Sequence, residues 1–280
     1  MTSPQLKAVI FDIGGVVCAS PLIAIAEYER EHGIPHDYIN CSITRRGSRG
    51  AWQRFERGEI PLFTFYEDFG RDLSDTTLGN VWYRELCLQR GIVCPPLPQS
   101  LNIDGRELFG RMMRLSRAYD NMVVEAIRRI RAAGRWRVIA LTNNWATATV
   151  ETLGGGKPVP EKYAALSLRD EINWLGWGEG AVSSQLREMF DNFYDSSEHG
   201  MRKPEPEFYL LACKQNNISP HEAVFLDDLG LNLKAAQKLG METIHVPIGG
   251  SFGALQKLEE KLGLDLTSGV ESSQATPSRL

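Results

Sequence analysis

Four short clusters in the sequence carry groups that could act together on an anionic oxygen. Asp12 closes the apolar run Leu6–Phe11, and Gly14 and Gly15 follow it, so a carboxylate would stand beside open backbone groups. Thr142, Asn143 and Asn144 follow a second run, Arg137–Leu141. A hydroxyl and backbone N–H groups at such a turn suit a phosphate oxygen. Lys203, just before Pro204, offers an ammonium point charge. Asp227 and Asp228 end a further run. Adjacent carboxylates beside an anion site make sense if they hold a hard cation, and Mg²⁺ binds through one or two carboxylates. Singly, each cluster is commonplace: D-D pairs and Lys-Pro steps abound in solvated loops. Their order, each after a successive apolar run, separates them from that background. A carboxylate nucleophile, a hydroxyl, an ammonium and a metal-holding pair are the parts that phosphoryl transfer requires.

The elements that must position these groups follow from periodicity. Short β-forming runs at Leu6–Phe11, Arg137–Leu141, Phe190–Tyr194, Ala223–Leu226 and Thr243–Val246 read as strands buried on both faces. Helical patterns separate them. Met122–Ala133 turns Val123, Ile127, Ile130 and the stem of Arg131 to one face and ends at Gly134; Phe208–Asn216 is entered through Pro204 and Pro206; Asn232–Leu239 stops at Gly240. The alternation predicts an α/β fold, a doubly wound parallel, Rossmann-like sheet, with ligands in the crevice beyond the strand ends. Between the first two strands, Pro21–Arg30, Ala51–Arg57 and Leu62–Leu73 look helical, predicting an inserted helical cap domain over 18–107 in a core of 1–17 and 108–266. A second insertion, 154–185, opens on three glycines and carries Trp174 and Trp177; it is expected within the core as a packed surface excursion, with a lid or a partner surface as the competing readings. The tail 267–280 is expected to be flexible.

Composition narrows the classes. The chain of 280 residues has 42% hydrophobic and 24% charged residues and a net charge of −4, so nucleic acid and an anionic membrane are not expected partners. The five cysteines include no C-x-x-C pair and suit buried thiols in a reducing compartment. No apolar run reaches spanning length, and the glycines after Asp12 are unlike a signal peptide. The final Ser278-Arg279-Leu280 is a close variant of the S-K-L address read by the peroxisomal import receptor, so a cytoplasmic or a peroxisomal location is expected.

The segments VIFDIGGVV, WQRFERGEI, VIALTNNW, FDNFYDSSEHGMRKPEPEFY and AVFLDDLGLNLKAAQKLGMETIHV resemble the haloacid dehalogenase superfamily, and more closely the N-terminal phosphatase domain of soluble epoxide hydrolases. The resemblance covers about residues 6–265 apart from the second insertion. It implies a Mg²⁺-dependent hydrolase acting on a small phosphorylated metabolite. Asp12 would attack phosphorus and form an aspartyl-phosphate. Thr142 and the N–H of Asn143 would hold the phosphoryl oxygens beside the Gly14–Gly15 backbone. Lys203 would offset their charge, and Asp227 would position Lys203 or a metal-bound water. The carboxylates of Asp12 and Asp228 and the carbonyl of Gly14 would ligate the metal. One departure stands out. Superfamily phosphatases usually read D-x-D, and the second Asp, their general acid and base, is Gly14 here. A positive φ at Gly14 would make an Asp there costly. Two other readings stand beside the phosphatase: a C–X hydrolase of the dehalogenase type, whose leaving group needs no proton, and a catalytically weak binding or regulatory protein that keeps the fold. In the cap, Trp52, Phe55 and Glu59 either line the substrate pocket or pack the cap core; His199 is expected to be a loop residue.

Overall fold

In the computed structural model, which describes residues 5–145 and 158–269, the apolar runs pair as one parallel sheet. Its strands are β1 (Ala8–Phe11), β2 (Arg137–Thr142), β3 (Asn192–Asp195), β4 (Ala223–Asp227) and β5 (Glu242–His245), in the order β3-β2-β1-β4-β5. All four residues of β1 are fully buried, because this central strand is covered on both faces; that is why it reads as a continuous apolar run. Val9 and Phe11 face a core shared with the helices Asn121–Ala133 and Ser251–Leu262. Ala8 and Ile10 face a second core, shared with Pro206–Gln215 and Gly230–Lys238. The doubly wound expectation is thus met.

Local signals explain most element ends. Asp120 caps Asn121–Ala133 by accepting bonds from the N–H groups of Met122 and Val123, and Gly134, at φ 64°, ends it. Arg131 is exposed, so its stem is not part of the buried face as expected; Val124 and Ala126 are. β3 starts at Asn192, two residues after the expected Phe190. Phe190 instead packs edge-on against Phe11, with ring centroids 6.4 Å apart. The sequence reading also left out the helix Ser251–Leu262, whose Ala254, Leu255, Leu258 and Leu262 are buried at helical spacing.

The sheet order reverses between β1 and β4. Chain segments leaving the C-terminal ends of these strands diverge, and a crevice opens at such a switch point. Asp12 directly follows β1, and Asp227 ends β4.

By internal packing the described residues form two units. One comprises 5–20, 116–145 and 179–269 and holds the sheet; the other comprises 21–115 and 158–178 and is helical. In the helical unit, Phe55 stacks on Phe65 with centroids 4.2 Å apart and packs edge-on against Phe109. Phe55 is therefore core, while Glu59 pairs with Arg57 on the surface and Trp52 leans on Phe69. The helices Leu62–Ser74 and Gly105–Leu115 approach closely: a Cβ on Gly105 would lie 2.2 Å from the Tyr66 carbonyl oxygen.

The described part of the second insertion that falls in 158–178 packs into this helical unit rather than within the core. Glu171, buried in the helix Leu168–Leu175, accepts bonds from the Tyr66 hydroxyl at 2.9 Å and from Arg106 at 2.9 Å. Trp174 lies against the guanidinium groups of Arg106 and Arg114, at 4.0 and 4.3 Å. Trp177 is buried edge-on against Phe109. Gly110 makes the room, since a Cβ there would be 2.0 Å from the Trp174 ring. Trp177 is thus a packing residue, and Trp174, half-buried, packs on two arginines. All five cysteines are free thiols, and four are buried. No helix among the described residues is long and apolar enough to cross a membrane. Residues 154–157 of the second insertion and most of the expected flexible tail, including Ser278-Arg279-Leu280, lie outside the described residues.

Candidate active site

The site is built on the ends of four strands of one unit. Asp12 is buried, and its Oδ1 accepts a bond from the N–H of Ile13 at 2.6 Å. The chain then turns tightly: the N–H groups of Val17 and Cys18 donate to the Ile13 carbonyl, and Gly15 N–H to that of Cys18. The positive φ in this turn falls on Gly15, at 85°, and not on Gly14. A Cβ on Gly15 would lie 2.1 Å from Asp228 Oδ2, so the glycine is needed both for its backbone conformation and for the space that Asp228 fills.

Lys203 is wholly buried, with Nζ 2.8 Å from Asp12 Oδ2 and 2.8 Å from Asp227 Oδ2. Burial works against its charge, but the two carboxylates more than offset this and hold the ammonium protonated. The acids bear the cost. Burial pushes Asp12 well above the usual carboxylate range; Lys203 opposes the shift, while Asp227 and Asp228 add to it. Burial, reinforced by Asp227, raises Asp228 to about 6.

The two adjacent aspartates are engaged differently. Asp227 Oδ1 accepts from Leu229 N–H at 2.8 Å and from Asn232 Nδ2 at 3.1 Å, and its Oδ2 accepts from Lys203 and, at 3.1 Å, from Asn232. Asp228 Oδ2 accepts from the Ser20 hydroxyl at 3.0 Å. Asp12, Asp227 and Asp228 each offer an oxygen within 4.8 Å of the others. Hard carboxylate oxygens this close, repelling one another, are the donor set a small divalent cation fits.

Thr142, buried, ends β2 beside β1. Asn143 binds Lys203 through its side chain: Oδ1 accepts from Lys203 N–H at 2.8 Å, and Nδ2 donates to the Lys203 carbonyl at 2.9 Å. Asn144 ties the same turn to β3: its N–H donates to Ser196 Oγ at 3.0 Å and its side chain to Asp195 Oδ1 at 3.0 Å. Asp195 in turn pairs with Arg187 at 2.8 Å.

The four clusters singled out in the sequence therefore converge at one end of the sheet, as direct contacts for Asp12, Lys203, Asp227 and Asn143, and within carboxylate reach for Asp228. Gly14 is half-buried beside them. His199 lies in a short helix, Ser196–His199, rather than a loop, near the rings of Tyr194 and Phe208. Sequence reasoning missed Ser20, which no local pattern marks, and Asn232. The latter had a signal: it stands five residues after Asp227, at the start of a helix that follows a carboxylate pair.

A family model described as a haloacid dehalogenase-like hydrolase matches residues 6–240. The chain is 30% identical to acyl-CoA dehydrogenase family member 10 of Mus musculus over 96% of its own length and 20% of that protein's. It is 26% identical to bifunctional epoxide hydrolase 2 of Sus scrofa over 98% of its own length and 42% of that protein's. It thus spans well under half the length of these two relatives. A sesquiterpene phosphatase of Aspergillus oryzae is 44% identical over 28% of this chain and 42% of that one.

Proposed function

The chain belongs to the haloacid dehalogenase-like hydrolases, and from that premise we propose that it is a Mg²⁺-dependent phosphomonoesterase acting on a small phosphorylated metabolite. The observation that carries this is the buried ammonium of Lys203, held 2.8 Å from both Asp12 and Asp227 within a three-carboxylate cluster. A lone nucleophilic carboxylate needs neither the second and third acids nor a lysine locked among them; a site that must meet a phosphoryl dianion and a cation uses all of them. Sequence similarity to a protein named as a phosphatase adds support.

In this reading an Asp12 carboxylate oxygen attacks phosphorus while the bond to the leaving oxygen breaks, and that oxygen departs with the electron pair. The product is an aspartyl-phosphate and an alcohol or alkoxide. Water then attacks phosphorus as the P–O bond to Asp12 breaks; inorganic phosphate leaves, the water proton passes to the phosphate or to solvent, and the Asp12 carboxylate is restored. Thr142 Oγ and the Asn143 N–H bind the phosphoryl oxygens, and Lys203 balances charge on nucleophile and phosphoryl group. Mg²⁺ would be held by Asp12, Asp228 and the Gly14 carbonyl, and would supply positive charge against the developing negative charge. Asp227 is left as the residue that positions Lys203, because protein donors already surround both of its oxygens.

The test is a hydrolysis screen over phosphorylated metabolites with Mg²⁺ and with chelator, alongside Asp12→Asn. Turnover that needs Mg²⁺ and vanishes in a folded Asp12→Asn protein is expected, with a larger loss than in Lys203→Ala, which keeps the nucleophile. Full activity in chelator would overturn the Mg²⁺ dependence, and an Asp12→Asn protein close to the wild-type rate would overturn the nucleophile; no phosphate release, with metal-independent halide release from a haloacid, would favour C–X bond hydrolysis.

A further inference from the structure

Lys203 is tied at both ends, and only one tie belongs to the charged cluster. Its ammonium sits between Asp12 and Asp227, while its backbone N–H and carbonyl are both taken by the side-chain amide of Asn143, at 2.8 and 2.9 Å. A primary amide is the side chain that can do this. It carries a donor and an acceptor side by side, and the two backbone groups of one residue present the matching acceptor and donor. The pairing also dictates the orientation of the amide, since a flipped Asn143 would set oxygen against the carbonyl and NH₂ against the N–H. A long lysine side chain has many rotamers, and burying it in one of them costs side-chain entropy. Anchoring its backbone directly to the turn that follows β2 restricts where Nζ can go.

We propose that Asn143 is a positioning residue whose side chain sets the placement of the Lys203 ammonium against the nucleophile, distinct from any contact of its own N–H with substrate. The inference rests on the phosphatase reading for its rate effects, but not for its structural ones. Asn143 ties the turn after β2 to the segment that carries Lys203, beyond the helix Ser196–His199, so that the turn offering phosphate-binding groups and the lysine that balances their charge move as one piece. The Asn144 side chain extends the same lock to Asp195, at the end of β3.

The experiment is a double-mutant cycle in the full chain, read beside amide exchange. Misplacing a catalytic group by about 1 Å can cost on the order of 10²-fold in rate, so Asn143→Ala should lower kcat by roughly 10- to 100-fold with little change in KM. In a Lys203→Ala background the same substitution should cost less than about threefold, because residues acting through one another are not additive. Full additivity would overturn the proposal and return Asn143 to a direct substrate role. Independently of activity, the Lys203 amide should lose at least about tenfold of its hydrogen-exchange protection in Asn143→Ala. It should keep more of that protection in Asn143→Asp, which retains the acceptor for the Lys203 N–H but sets a carboxylate oxygen against the Lys203 carbonyl. Unchanged protection in Asn143→Ala, or equal loss in both variants, would also overturn it. If Asn143→Ala does not fold, the near-isosteric Asn143→Asp decides alone: kcat lowered with the Lys203 amide still protected supports the lock, and an exposed amide refutes it. If the wild type hydrolyses no phosphomonoester, the phosphatase reading fails while the exchange measurements still decide the positioning.

Discussion

At the scale of single residues, the neighbouring Asp227 and Asp228 show how environment divides labour between chemically identical groups. Asp227 accepts bonds at both oxygens from Leu229, Asn232 and Lys203, whereas Asp228 accepts one from the Ser20 hydroxyl. Asp228→Ala should therefore weaken Mg²⁺ binding more than Asp227→Ala does, while Asp227→Ala should leave Lys203 poorly held and cost more in stability. Titration calorimetry and denaturant midpoints on both variants check this; tighter Mg²⁺ binding by Asp228→Ala than by Asp227→Ala would contradict it. Gly14 poses the other residue-scale question. General acid help is worth about 10² to 10⁴ in rate, and glycine offers none. Rates should rise steeply as leaving groups become better, with nitrophenyl phosphate well ahead of alkyl phosphates. The positive φ belongs to Gly15, so the backbone does not oppose Gly14→Asp, and this variant should speed alkyl esters most. Equal wild-type rates on aryl and alkyl phosphates would point to an acid elsewhere.

At the scale of elements, the helical unit depends on a buried ion pair joining segments distant in sequence. Glu171, 2% exposed, is satisfied by Arg106 and the Tyr66 hydroxyl. Removing one partner of a buried pair leaves an uncompensated charge, at a typical cost of about 3–5 kcal/mol. Arg106 is partly exposed and water can relieve some of that, so Arg106→Ala should cost about 2–3 kcal/mol, including its packing on Trp174. Replacing both, as Arg106→Met with Glu171→Gln, which removes the charge and keeps an acceptor for the Tyr66 hydroxyl, should recover most of the loss. Urea denaturation of the two variants measures it, and a double variant no more stable than Arg106→Ala would refute this account of the pair.

At the scale of the whole molecule, buried carboxylates set how stability responds to pH. Burial raises Glu29 to about 7 from an ordinary 4.5, although it accepts bonds from the N–H groups of Asp37 and Ile39 at 2.8 and 2.7 Å. A raised pKa means that the folded state binds the proton more tightly than the unfolded chain. The stabilisation linked to Glu29 is thus complete below about 4.5 and is lost as pH rises through about 7. Because Asp228 titrates in the same window, the wild-type profile is best compared with that of Glu29→Gln. The difference in urea midpoint between wild type and variant should change between pH 5 and 7.5 and level off above. A constant difference over that range would show that Glu29 does not titrate there.

Much was legible in the sequence because it is encoded locally. The sheet followed from apolar runs that mark strands buried on both faces, the helix over Met122–Ala133 from its apolar face and Gly134, and the four reactive clusters from their position after successive strands. The family's motifs are contiguous for the same physical reason: a strand end and the turn after it place their groups together without help from the rest of the chain. What only the tertiary structure decided involves partners far apart in sequence. It seated Phe190 against Phe11, turned Trp174 and Trp177 inward beside Gly110, joined Ser20 to Asp228 across 208 positions, and set the Asn143 amide on the Lys203 backbone across 60. Polar side chains such as Ser20 and Asn143 have no hydrophobic period to betray where they point. Their partners are fixed by the order in which strands pair, and only the folded sheet supplies that.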